Sequence, residues 1–399
     1  MNTQRPARSL RTVTLWAATL VLSACGGGSS STNNGHETPQ EPPVAQEWQW
    51  QLPEGWSPPI VPADNPMSTA KVELGRRLFH DTRLSANHTQ SCASCHTQAS
   101  AFTDNRALSR GATGEVHPRN AQPLANVAYN TTLNWAHPDV TTLEQQMRTP
   151  LFGTSPIELG INDSNSAEVL ARLRADADYR TRFRGVYGSA PDPFTWDNVI
   201  RSIAAFERTL ISANSRYDRY QRKTATLTET EERGMRLFFS DKAQCASCHG
   251  SPNFNDQFIS ISDPVGTSSL AFHNTGLFNI GGTGAFPEPN RGVFEITRQP
   301  ADMGRFRAAS LRNIELTAPY MHDGSIATLE DVLDFYADGG RVINTGLYAG
   351  DGRTNPFKDP RIDRIQLDAQ DKADLRAFLA TLTDEAFVSN PAFGAPALE

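Results

Sequence analysis

Cysteine is scarce in this chain, and each of the five present is already committed by its surroundings. Four lie in two identical pentapeptides, Cys92-Ala93-Ser94-Cys95-His96 and Cys245-Ala246-Ser247-Cys248-His249, and the fifth, Cys25, closes an N-terminal apolar stretch. None is left over for a disulfide, which excludes a small disulfide-stapled scaffold. Long hydrophobic runs are missing too. The stretch Val13 to Leu22 is too short to cross a bilayer as a stable helix. A basic excess is also absent: 37 Lys and Arg stand against 44 Asp and Glu, a net charge of −7. That balance lacks the footprint needed to bind nucleic acid. The Gly- and Pro-rich stretch from Gly281 to Gly292 has Gly-Thr-Gly but no Gly-Lys-Ser/Thr, so it reads as a loop and not as a phosphate cradle.

The N-terminus reads as an export signal. Arg5, Arg8 and Arg11 precede the apolar stretch, and Leu22-Ser23-Ala24-Cys25 closes it with small residues and a cysteine. This ending resembles a bacterial lipobox. It predicts a signal peptide over 1–24, a lipid anchor at Cys25 and a periplasmic location, with the anchor the sole membrane contact. Ordinary cleavage nearby, giving a soluble periplasmic protein, is the alternative. A free surface cysteine is hard to justify in an oxidising compartment, which favours lipidation. Residues 25–47 are rich in Gly, Ser, Asn, Pro and Glu without apolar periodicity, the composition of a flexible tether.

An internal repeat sets the architecture. Gly75-Arg76-Arg77-Leu78-Phe79 precedes the first Cys-x-x-Cys-His, and Gly234-Met235-Arg236-Leu237-Phe238 precedes the second. Both have helical periodicity and both follow hydroxyl residues suited to capping, Ser68 in one case and Thr228 or Thr230 in the other. The pattern predicts a mostly α protein of two cytochrome-c-like domains in tandem, over 48–215 and 216–385, with a tail at 386–399. Further helices are expected from Trp196 to about Ser212, Leu329 to Tyr336 and Asp368 to Leu382.

In Cys-x-x-Cys-His, two thiols one helical turn apart can add to the two vinyl groups of a haem, and the adjacent histidine reaches the iron. A zinc or redox Cys-x-x-Cys is the competing reading for one such motif. Two of them, each followed by His, in an exported chain with no other body cysteine, point to two covalent c-type haems. Cys92, Cys95, Cys245 and Cys248 are the attachment residues, with His96 and His249 as proximal ligands.

From about Pro66 to Leu382 the chain resembles the bacterial di-haem cytochrome c peroxidases, and within them the tyrosine-ligated, MauG-like and methanobactin-associated branch. The motifs that carry this are Leu124-Ala125-Asn126, Trp135, Leu143-Glu144-Gln145-Gln146, Pro156-Ile157-Glu158, Ala205-Phe206-Glu207-Arg208-Thr209-Leu210, Leu311-Arg312-Asn313 and Ala318-Pro319-Tyr320-Met321-His322-Asp323-Gly324. The resemblance implies that Tyr336, fourteen residues after His322, is the second ligand of the His249 haem iron; Met321 and Met303 are rival soft ligands. It puts Gln146, Pro150 and Glu158 on the open side of the His96 haem, with Glu158 moving a proton between the two peroxide oxygens. The Pro150-to-Glu158 interval is about two residues longer than in the peroxidases, which bears on where Glu158 sits. Trp135 matches a tryptophan between the haems that can relay an oxidising equivalent. Asn120, Thr317 and Pro319 match positions that bind an inter-haem calcium through oxygen atoms. His117 matches a loop near the open side, where it either caps the iron or is merely exposed.

The function so implied is a peroxide-dependent oxidoreductase that forms a high-valent di-haem state and oxidises an aromatic side chain of a periplasmic partner protein. Two alternatives stand beside it. One is peroxide detoxification with electrons from a small redox protein, and the other is a non-enzymatic di-haem electron carrier with both irons six-coordinate.

Overall fold

Both repeated segments become helices that begin at a hydroxyl cap and end ahead of a Cys-x-x-Cys-His motif, at His80 before Cys92 and at Phe238 before Cys245. In the computed structural model, which describes residues 46–265 and 272–396, the first is Thr69–His80, capped by Ser68, whose Oγ accepts from the Lys71 amide. The second is Glu229–Phe238, where Thr228 and Glu231 form a reciprocal capping box. Thr230 lies inside that helix, so the cap is Thr228.

The glycine of each repeat has a packing role. A Cβ on Gly75 would lie 1.9 Å from the Ser202 carbonyl oxygen, and one on Gly234 would lie 1.9 Å from the Asp374 carbonyl oxygen. Those carbonyls belong to the helices Trp196–Glu207 and Ala369–Ala380. Each helix leading into a motif therefore crosses the closing helix of its own half at a point where backbones touch. Gly234→Ala should lower stability by about 1–3 kcal/mol, the usual cost of overpacking. Gly185→Ala, in a helix with nothing within 4 Å of the added carbon, should be neutral or slightly stabilising. Denaturant midpoints of the haem-loaded variants check this; equal losses at both glycines would refute the close-crossing argument.

The closing helices are tied down by a second repeated device. The Trp196 helix was expected to reach about Ser212 but ends at Glu207. Beyond it the Thr209 hydroxyl donates to the Phe206 carbonyl at 2.7 Å, and Asn126 takes over the backbone: its Oδ1 accepts from the Ser212 amide at 2.7 Å and its Nδ2 donates to the Ser212 carbonyl at 2.8 Å. Asn313 plays a related part in the other half: its Oδ1 accepts from the Asp384 amide at 2.8 Å, while its Nδ2 donates to the Ser212 hydroxyl at 3.1 Å. Both asparagines hold a left-handed backbone, φ 58° and 60°, which Asn tolerates better than most residues. The Leu-Ala-Asn and Leu-Arg-Asn motifs are thus helix-end clasps.

Buried side chains gather into two clusters. One contains Leu74, Leu78, Phe79, Ile203 and Phe206; the other contains Phe238, Phe254, Leu333, Leu375 and Phe378. The stretch read as a tail does not hang free: Phe387 and Phe393 belong to the first cluster, and Gln98 Nε2 donates to the carbonyls of Phe387 and Asn390 at 3.2 and 2.7 Å. Apolar residues so far from the first core in sequence carry no periodic signal that would reveal this. In the opposite direction, Trp135 and Ala136 pack on the second cluster. Deep in the structure Arg312 forms a two-pronged pair with Asp218, at 2.8 and 2.9 Å, and its guanidinium lies over the rings of Trp56 and Phe254. Strand is minimal among the described residues: Phe272–His273 pairs antiparallel with Phe306–Arg307, and Val342–Ile343 with Gly350–Asp351.

The signal, the lipobox and most of the tether lie outside the described residues. The tether boundary at 47 is late, because the Thr69 amide already donates to the Gln46 carbonyl and Glu47 bridges to Ser68. No helix among the described residues is long and apolar enough to cross a membrane.

Candidate active site

Both Cys-x-x-Cys-His motifs fold into the same local geometry. Cys92–Cys95 is a single helical turn and Cys245–Ser247 a 3-10 turn. His96 Nδ1 lies 2.8 Å from the Phe102 carbonyl oxygen, and His249 Nδ1 lies 3.1 Å from that of Phe254. A carbonyl can only accept, so the proton sits on Nδ1 and the lone pair of Nε2 is left for a metal. Phe102 and Phe254 both adopt positive φ, 64° and 52°, which turns those carbonyls toward the rings. Burial holds both imidazoles below their ordinary pKa, hence neutral, as a ligand must be. The four cysteines are in no disulfide. Burial pushes the Cys95 thiol up to about 11 and Cys245 up to about 12, the reverse of the depressed pKa of a redox Cys-x-x-Cys. The residues fit covalent haem attachment and histidine ligation at both sites.

The second motif opens on a mostly apolar cavity whose wall includes Cys245, Cys248, His249, Tyr336, Met321 and Trp135. Tyr336 comes from the helix Leu329–Ala337, and burial pushes its phenol well up. Only a nearby positive centre would ionise it. Met303 is not in this wall; its carbonyl accepts from Asn274 Nδ2, which leaves Met321 as the rival to Tyr336. Trp135 Nε1 donates to the Asn120 carbonyl at 2.9 Å. Asn120, Thr317 and Pro319 share the same wall. They offer neutral oxygens with no carboxylate among them, a ligand type calcium accepts.

Around the first motif, the long Pro150-to-Glu158 interval is closed at its base. The Leu159 amide donates to the Pro150 carbonyl at 2.9 Å and the Ile161 amide to that of Leu151 at 3.0 Å, so the additional length bulges out at the exposed Thr154 and Ser155. Glu158 is thereby held beside Pro150. Its carboxylate acts electrostatically on Cys92, Cys95 and His96. His117 is not merely exposed: its Nε2 lies 3.4 Å from Glu158 Oε1, with both side chains about 30% accessible. The contact comes from the 109–117 loop, which lies against Glu158 through the Ala112 amide, 2.6 Å from the Glu158 carbonyl. Gln146 ends the short helix Leu143–Gln146, half-buried. Glu144 has another job, accepting from Arg208 at 2.7 Å and from Asn65 at 2.6 Å.

Three buried polar residues in or near these sites have no role that the sequence gives them, although Glu207 and His322 lie within the motifs quoted above. Glu207, pushed up to about 8 by burial, is within electrostatic reach of Cys92. Arg307 and His322 stand in the wall of the second cavity. The sequence offers no signal that an arginine will be buried.

Two histidine-bearing Cys-x-x-Cys sites in a predominantly helical fold, one beside a carboxylate–histidine pair and one beside a half-buried tyrosine, define a c-type di-haem oxidoreductase. The chain belongs to the di-haem cytochrome c peroxidase family, which includes the MauG-like enzymes. The family profile "Di-haem cytochrome c peroxidase" matches residues 69–226. The chain is 36% identical over 346 residues to the cytochrome-c peroxidase IdrP1 of Denitromonas iodatirespirans, covering 83% of this chain and 86% of that one. It is 30% identical to the methylamine utilization protein MauG of Methylorubrum extorquens, covering 91% of each. Among solved structures, a MauG-like protein associated with microbial copper homeostasis superposes with a TM-score of 0.85 at 53% identity, over 88% of this chain and 99% of that one.

Proposed function

We propose that this protein reduces hydrogen peroxide at the His96 site with electrons taken from a partner protein at the His249 site. The observation that carries the reading is the Glu158–His117 pair held against the first motif. Haem iron supplies the redox chemistry at both sites. Glu158 takes a proton from one peroxide oxygen and returns it to the other, His117 holds that carboxylate in place, and Gln146 and Pro150 bound the space. Trp135, in the second cavity wall, offers an oxidisable indole for passing electrons. Peroxidases among the relatives support a small redox protein as the donor, in place of the side-chain oxidation that the sequence alone suggested. With this reading go a calcium at Asn120, Thr317 and Pro319, and a periplasmic location with a lipid anchor at Cys25.

A second reading, oxidation of an aromatic residue in the partner, is favoured by Tyr336 in the second cavity and by the 53% likeness to a MauG-like protein. Steady-state assays with peroxide and a reduced small cytochrome or cupredoxin separate the two. Sustained turnover supports the first reading, and rapid reaction with peroxide but no turnover supports the second. Two low-spin haems with no peroxide reaction would leave only an electron carrier. Tyr336→Phe should abolish the low-spin tyrosinate EPR signal and leave the His96 site unchanged; an unaltered signal would transfer the ligand role to Met321.

A further inference from the structure

Arg307 is a buried cation without an anion. It is 6% exposed. Nη1 donates to the Thr132 carbonyl at 3.0 Å and Nη2 to the Gln122 side-chain oxygen, while the buried Nε has no partner. Among the described residues no carboxylate forms an ion pair with it. The contrast with Arg312, equally buried but forked onto Asp218, shows what this chain does when a protein carboxylate is meant to serve. Removing a guanidinium from water without a counter-charge is strongly unfavourable, and burial pulls Arg307 down to about 10, opposed by the more distant Asp256. Something anionic is missing from its surroundings.

The missing partner has a defined place. Arg307 stands in the wall of the second cavity, and its amide donates to the Trp135 carbonyl at 2.8 Å. His322, 5% exposed, stands in the same wall, stacked on Phe306 with ring centres 3.6 Å apart and planes 10° apart. Its buried Nε2 also has no partner. Burial, with Arg119 and Arg341 nearby, holds His322 below its ordinary pKa, and in the tautomer protonated on Nε2 it donates there without adding a second charge. Both unpartnered nitrogens belong to residues of one mostly apolar cavity wall, and the other charged groups there, His273 and Arg361, are already paired with Asp256 and Asp359, so Arg307 is the wall's cation left for a carboxylate.

We infer that Arg307 binds a propionate of the haem attached at Cys245 and Cys248, and that His322 Nε2 is a second donor to the propionates of that haem. The inference rests on reading the second motif as a haem site. In the paired state the carboxylate stays ionised across the neutral range and the pair is electrically balanced, so the potential of the adjacent iron does not vary with pH on its account. Arg307→Gln leaves a buried carboxylate with no counter-charge, whose pKa must rise. The ionised form favours ferric iron, so the midpoint of this haem should fall below the parent's at pH 8 and climb back toward it as the pH drops to 5.

Spectroelectrochemical titration of the haem-loaded protein from pH 5 to 8 reads this directly. Arg307→Lys keeps the charge but not the planar fork, and should lie between the parent and the glutamine variant. His322→Phe keeps the stack on Phe306, and should show the same pH dependence more weakly; it decides the matter if the glutamine variant does not retain haem. Parent-like midpoints at every pH in both Arg307→Gln and His322→Phe would overturn the inference. So would a parent midpoint that moves with chloride or phosphate at constant ionic strength, since the site would then hold a free anion. Loss of the second covalent haem mass under denaturing conditions in the parent itself would instead remove the underlying haem reading.

Discussion

Replacing Glu158 by glutamine should slow the reaction of the ferric protein with hydrogen peroxide by about 10²–10⁴-fold, the range for loss of positioned acid–base assistance. Both haem spectra should remain as in the parent. Heterolysis needs a proton removed from one oxygen and delivered to the other, and an amide can do neither at neutral pH. The geometry favours Glu158 over its neighbours. Glu144 is locked by Arg208 and Asn65, whereas the Glu158 side chain is about 30% accessible and, among the described residues, its ion-pair partner is His117 at 3.4 Å. Stopped-flow mixing with peroxide is the right measurement, because steady-state turnover also reports partner binding. His117→Gln should give a smaller loss, since the carboxylate remains. A Glu158→Gln protein as fast as the parent would exclude Glu158 as the proton carrier and make His117 the next residue to test.

Asp218→Asn should destabilise the haem-loaded protein by about 3–5 kcal/mol, the penalty for orphaning one member of a buried ion pair. Arg312 is 1% exposed and its fork ends on Asp218. An amide would leave the guanidinium charge in place with nothing to balance it. Burial pushes the Asp218 carboxyl up, but the Arg312 fork more than offsets this and leaves it below its ordinary value. The stabilisation is therefore fully present above the unfolded-state pKa of about 3.9, and is lost as the pH falls through the lower folded-state value. At pH 7 the denaturant midpoint of the variant should be well below the parent's, and the gap should narrow only in acid. Asp197→Asn, which breaks the exposed pair with Arg148, should leave the midpoint where it is. Equal midpoints for Asp218→Asn and parent at pH 7 would falsify the argument.

What could be read from the residues in order was whatever depends on short spacing. Two cysteines one turn apart with a histidine next are a covalent requirement of haem attachment, so Cys92, Cys95, His96 and their counterparts declare themselves. Capping at Ser68, and at Thr228 or Thr230, is equally local, as is the helical period that marks Thr69–His80, Leu329–Ala337 and Ala369–Ala380. Tyr336, Glu158 and Trp135 were reached through resemblance, because nothing local distinguishes a ligand phenol or a catalytic carboxylate from a core or surface one. The stop at Glu207 was missed for a related reason: the helical pattern continues, but Asn126, distant in sequence, offers the backbone better partners.

The sequence by itself determined two haem-attachment motifs, each entered by a glycine-bearing helix, on an acidic, mostly helical chain, because thioether chemistry and helix formation act over a few residues. Tertiary structure alone decided that Phe387 and Phe393 complete the first core, that His117 meets Glu158, and that Arg307 is buried facing the second cavity without an anion. Each of these rests on contacts between segments tens to hundreds of residues apart. Burial and charge balance are properties of that packing, and no local pattern encodes them.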